Sequence, residues 1–71
     1  MMQGTIVAVK VDKGFGFICP PDRNLRDDNL FFHARDLINL EFGESLVERR
    51  VEFDVEQTSK GPRARNVRPA D

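Results

Sequence analysis

Lys13-Gly14-Phe15-Gly16-Phe17-Ile18 is the stretch on which the fold turns. Successive side chains of a strand point to opposite faces, so Phe15 and Phe17 share one face while Gly16 and Ile18 share the other. Ile18 is the natural core residue. Two large rings are then left on the face that burial does not require. Exposed rings beside a cation make a platform on which nucleobases stack while phosphate is held nearby. The competing reading makes both phenylalanines ordinary core residues of a buried strand.

The flanking segments read as β-structure. Thr5 to Val11 is rich in β-branched residues and predicts a strand. Its run Ile6-Val7-Ala8-Val9 does not alternate, so it is either buried on both sides or shifted in register by a bulge. Asp12-Lys13-Gly14 is a turn that joins it to the aromatic strand as a hairpin. Pro20-Pro21 ends that second strand, because proline cannot donate to a ladder. Asp22 to Asn29 is a polar surface loop, in which Asp27 and Asp28 read as solvated residues rather than a cation site.

Leu30-Phe31-Phe32-His33 predicts the third strand, with Leu30 and Phe32 on one face and Phe31 and His33 on the other. The second pair again favours a stacking surface over a purely structural histidine. As a general base, His33 would need a nucleophile or carboxylate partner, and the sequence holds no recognisable dyad or triad. Ala34 to Leu40 is short and mixed, with room for one helical turn, and Phe42-Gly43 falls in a loop. Val51, Phe53 and Val55 alternate with Glu52, Asp54 and Glu56, a half-buried strand with an acidic outer face. Lys60-Gly61-Pro62 turns the chain into a last strand, Arg63 to Arg68. If Val67 points inward, strict alternation would also bury Arg63 and Arg65, so a bulge or irregular stretch is expected there.

The 71 residues make one small domain, 1–71. A chain of this size buries only about 60% of its unfolded surface. The single cysteine, Cys19, excludes an internal disulfide, and with one histidine there is no ligand set for a structural zinc. A closed sheet suits such a chain, since closure removes sticky edges. The sequence shows no apolar signal segment and no run long enough to cross a membrane, and reads as cytoplasmic. Its net charge of −1 hides an uneven distribution. Acids dominate from Asp36 to Glu56, whereas Lys60, Arg63, Arg65 and Arg68 follow Gln57 and Lys10 and Lys13 flank the aromatic motif. If the chain ends lie side by side, one face is basic and the opposite face acidic.

These motifs together resemble a bacterial cold-shock protein over nearly the whole chain. Gly4-Thr5-Ile6 looks like the family's opening strand, Lys13 to Ile18 matches its first ribonucleoprotein motif and Leu30 to His33 its second. Lys60-Gly61-Pro62-Arg63-Ala64 with Asn66-Val67 is similar to its closing segment. RNA-recognition motif domains carry a similar first motif, but there the second precedes it and two helices are needed. The resemblance implies an all-β fold, a five-stranded antiparallel barrel of the oligonucleotide-binding (OB-fold) class. It implies that Phe15, Phe17, Phe31 and His33 stack bases with Phe42 as a loop contributor, and that Lys13 and Lys60 meet phosphate or base edges; Lys10 and Arg63 are further candidate nucleic-acid-binding residues of this chain.

The chain also departs from that family. Where the family's first strand reads lysine-tryptophan-phenylalanine-asparagine, this one has Val7-Ala8-Val9-Lys10, and Ala34 stands in place of a phenylalanine. The loop before the third strand is longer than usual, Leu46 to Arg50 lacks the usual glutamate-glycine turn, and Arg63 replaces a common glutamine. Each lost stack removes about 1–3 kcal/mol. The added arginines are expected to recover part of that in a salt-sensitive way.

The expected function is sequence-tolerant binding of single-stranded RNA or DNA without catalysis or cofactor, in the manner of an RNA chaperone or a regulator of transcription or translation. The alternative is an OB-fold protein-interaction module that has lost much of its nucleic-acid binding. A monomer is the default, with a strand-exchanged dimer through the long loop as the other state. Cys19 shares the parity of Phe15 and Phe17 and reads as a small strand residue rather than a reactive thiol.

Overall fold

The computed structural model describes residues 2–20 and 29–70. Five strands, β1 (Met2–Lys10), β2 (Phe15–Cys19), β3 (Leu30–His33), β4 (Arg50–Thr58) and β5 (Gly61–Pro69), close into a barrel in the order β1-β2-β3-β5-β4. Neighbours run antiparallel except at the seam, where β3 meets β5 in parallel through Phe31 and Arg63. A further parallel bridge, Leu37 to Val67, prolongs the seam. The loop expected at Asp22 to Asn29, with its Asp27–Asp28 alternative, lies outside the described residues except for Asn29.

A bulge resolves the unalternating run in β1. Ile6 stands opposite Ile18 and Ala8 opposite Phe17, which leaves Val7 without a partner. Ile6 is therefore fully buried and Val7 exposed, while Ala8 returns to the outer face beside Phe17. The following turn is closed by the Lys13 and Gly14 amides, which donate to the Lys10 carbonyl at 3.0 and 2.8 Å. Gly14 sits at φ +80°, a left-handed conformation that glycine adopts without a Cβ penalty. Pairing with β4 carries β1 back to Met2, beyond the expected start at Thr5. Ladder bonds there override the weak strand preference of Gln3 and Gly4.

The core follows the predicted alternation. Ile18, Leu30, Phe32, Val51 and Phe53 point inward, joined by Ile6, Leu46, Ala64 and Val67. Fully burying one such aliphatic or aromatic side chain stabilises the fold by about 1.5–3 kcal/mol. Val55 continues the β4 pattern but stays exposed, because β4 runs past the packed end of the barrel. The helical turn expected after β3 is a 3-10 turn at Ala34–Asp36, and a second at Glu44–Leu46 brings Leu46 into the core.

The irregularity expected in β5 is a second bulge. Asp54 pairs with Arg65 but Glu52 with Arg68, so β5 carries one extra residue. Asn66 absorbs it at φ +55°, a region that asparagine tolerates better than most residues. The effect is to bury Ala64 and Val67 while Arg65 and Asn66 both remain outside.

Candidate nucleic-acid interface

Register places the sequence-predicted residues on one outer face. Lys10 is opposite Phe15, which is opposite His33; Ala8 is opposite Phe17, which is opposite Phe31, which in turn meets Arg63. The rings of Phe15, Phe17 and Phe31 form one cluster, with centroids 5.3 Å apart for Phe15–Phe31, 5.8 Å for Phe15–Phe17 and 6.2 Å for Phe17–Phe31. All three remain half-buried, whereas Phe32, one residue along, is fully enclosed. Behind them, Gly16 lets the sheet close on the core. A Cβ there would stand 2.6 Å from the Ala8 carbonyl oxygen and 2.8 Å from the Phe32 ring.

His33 is held by the turn that follows it. Its backbone N–H donates to Asp36 Oδ2 at 3.0 Å, and its Nδ1 accepts from the Arg35 N–H at 3.1 Å. This is a capping box with histidine in the capping position. With Nδ1 occupied as an acceptor, the neutral ring carries its proton on Nε2. The Ala34 amide, donating to Gly14 O at 2.8 Å, ties this turn to the β1–β2 hairpin.

Lys10, Lys13 and Lys60 are exposed, Lys10 as the register partner of Phe15 and Lys13 in the turn that precedes it. Lys60 lies on a cleft of about 470 Å³ that opens beside Phe17 and Phe31 and is also lined by Asn29 and Gln57. The Asn29 Oδ1 in its wall is buried and has no hydrogen-bond partner. Phe42 is placed differently. Its ring packs edge-on against core Phe32 at 6.5 Å and is not brought into the Phe15–Phe17–Phe31 cluster.

The arginines of β5 do not make the basic face that composition suggested. They lie beside the acidic row of β4 and pair with carboxylates. Arg68 Nε approaches Glu52 at 3.8 Å, Arg65 Nη1 binds Glu56 at 2.6 Å, and Asn66 donates to Asp54 at 3.0 Å. The hydrogen bond and charge of Glu56, with Asp36 adding to them, raise the Arg65 pKa above its ordinary value. Arg63 instead turns to the platform, with its guanidinium 5.7 Å from the Phe31 centroid and Nη2 bound to Asp36 at 2.5 Å.

Asp36, Asn29 and Gln57 were not singled out by sequence reasoning. For Asp36 a signal exists, since His33-Ala34-Arg35-Asp36 has the spacing of a capping residue and its reciprocal partner. Asn29 and Gln57 are brought to the cleft from distant parts of the chain and carry no local signature. Among the described residues, no group of three or more histidine, cysteine, aspartate or glutamate side chains is placed to hold a metal. Among the described residues no helix is long and apolar enough to cross a membrane.

Comparison with known proteins agrees with this geometry. The family described as "'Cold-shock' DNA-binding domain" matches residues 2–70. The chain is 41% identical over 66 residues to the cold shock-like protein of Aquifex aeolicus, covering 93% of this chain and 90% of that one. It is 38% identical to the probable cold shock protein A of Mycolicibacterium smegmatis, over 96% of this chain and 97% of the relative. Among solved structures it is similar to Drosophila Unr CSD456, with a TM-score of 0.73 and 28% identity. That match covers 99% of this chain and spans 26% of the Drosophila chain. A closed barrel with its rings on β2 and β3, matched along its length by these relatives, belongs to the cold-shock domain family of nucleic-acid-binding domains.

Proposed function

We propose that this protein binds unpaired segments of RNA or DNA by stacking bases on Phe15, Phe17, Phe31 and His33, with Lys10, Lys13 and Lys60 meeting phosphate. One observation carries the reading. Three rings in mutual contact remain on the outer face of a barrel whose core is already filled from the other face. Stacking accepts any base, because each has a π-face, and the interaction is therefore tolerant of sequence. A protein that holds unpaired bases more tightly than duplex shifts weak secondary structure toward the open strand, the action of an RNA chaperone. Its activity is binding rather than catalysis, and it acts in the cytoplasm; a monomer fits the closed barrel, in which each strand already has neighbours on both sides.

The test is fluorescence anisotropy of a labelled oligothymidine of about seven nucleotides at low and near-physiological salt, a probe length within the footprint of a single barrel of this class. The label is needed because the chain has no Trp or Tyr. Saturable binding that Phe15→Ala and Phe31→Ala each weaken is the expected result. Absence of binding at low salt overturns the reading and turns attention to the alternative, a barrel that docks protein.

A further inference from the structure

We infer that Asp36 is a positioning residue of the binding face, one that turns Arg63 from a phosphate counterion into a charge-neutralised stacking plane. The inference rests on the proposed stacking function and deepens it.

Asp36 has a side chain only 5% exposed, and three donors converge on it: the His33 N–H at 3.0 Å, Arg63 Nη2 at 2.5 Å and Arg65 Nε at 3.3 Å. Arg65 is further bound to Glu56. Two guanidiniums therefore stand against two carboxylates, and the cluster offers no net charge for phosphate to recognise. Arg63 is itself half-buried, its side chain 28% exposed. Its Nε is buried without a partner, and its guanidinium sits over Phe31. A phosphate-seeking arginine has to extend its head into solvent, and this one is fastened at the head by Asp36 and held against Phe31.

What a fastened guanidinium retains is its flat face. Arginine is weakly hydrated and stacks on aromatic planes, and bases stack on it in turn. Placed at the β3–β5 register partner of Phe31, it extends the ring surface by one position on the side away from Ala8, where the platform has no ring. Asp36 also receives the backbone N–H of His33, so one carboxylate sets both the cation and the imidazole of the face.

The two roles differ in their dependence on salt. A phosphate contact on single-stranded nucleic acid contributes about −0.7 to the slope of log K against log salt, whereas a stacking contact contributes nothing to it. The experiment is the oligothymidine titration across a salt series for the wild type, Arg63→Ala, Arg63→Lys and Asp36→Asn. Arg63→Lys, which keeps the cluster neutral and loses the plane, is expected to weaken binding about tenfold at every salt concentration with an unchanged slope, the size of one lost stack. Arg63→Ala loses the same stack and also leaves a carboxylate uncompensated, so it is expected to bind at least as weakly as Arg63→Lys. Asp36→Asn frees the guanidinium and is expected to steepen the slope by about 0.7, one additional phosphate contact.

A lysine variant that binds like the wild type, or an Asp36→Asn variant that folds and keeps the wild-type slope, overturns the inference. An alanine variant without effect at any salt overturns it too. Thermal melts accompany each variant. Where Asp36→Asn does not fold, the alanine and lysine comparison decides alone. A wild type that fails to bind at low salt is a distinct outcome, which overturns the stacking function and this inference with it.

Discussion

Gly16 of β2 and Phe32 of β3 are register partners, and the Phe32 ring occupies the space that a Cβ at position 16 would fill, 2.8 Å from it. The Ala8 carbonyl oxygen, 2.6 Å from the same point, belongs to the backbone of β1 and cannot swing aside. Gly16→Ala is therefore expected to destabilise the barrel by about 1–3 kcal/mol, the usual result of overpacking. Chemical denaturation checks it: a lower midpoint at an unchanged m-value is expected, and an unchanged midpoint would show that the sheet yields at no cost.

Phe31 and Phe32 are neighbours in sequence with opposite roles. Phe32→Ala should cost about 3–5 kcal/mol of stability through the cavity left in the core. Phe31→Ala should leave the unfolding midpoint nearly in place and weaken oligothymidine binding by about 1–3 kcal/mol. Paired denaturation and anisotropy measurements on the two variants separate these effects. Equal losses of stability from both would place Phe31 in the core and contradict the assignment of faces.

Ala8 stands opposite Phe17 on the outer face, half-buried, where the bulge at Val7 delivers it. Ala8→Trp is expected to tighten binding by about 1–3 kcal/mol, one more stacked base. The new indole also supplies an intrinsic signal, so quenching on addition of oligothymidine reports the contact directly. Binding no tighter than that of the wild type would show that position 8 does not face the ligand.

Much of this architecture is legible in the chain before any coordinates. Period-2 alternation is strong at Phe15 to Ile18, at Leu30 to His33 and at Val51 to Phe53, and each segment buries the face that its alternation indicates. Both irregular strands betray themselves as well, because Ile6 to Val9 and Arg63 to Val67 cannot alternate without burying the wrong residues. The partners of the arginines are hidden. Whether Arg65 meets phosphate or Glu56 depends on the register of β5 against β4, which the extra residue at Asn66 shifts midway. Phe42 illustrates the same limit, since a loop phenylalanine carries no period and only packing against Phe32 sets its direction. Charge read along a sequence is one-dimensional, and here bases and acids that look segregated along the chain become cross-strand neighbours.

The parallel seam bears on the order in which the molecule assembles. β1, β2 and β3 form a meander of chain neighbours, so the ring cluster needs only local loop closures, whereas Arg63 reaches Asp36 across 27 residues. Loop-closure entropy favours the short connections first, and non-local pairings follow. Folding kinetics should accordingly give a φ-value near zero for Arg63→Ala and a higher one for Ile18→Val, and the reverse order would refute this sequence of events. On this order the ring-bearing face is laid down before the barrel closes, and the seam acts as its latch, engaging once the C-terminal strand has crossed the barrel.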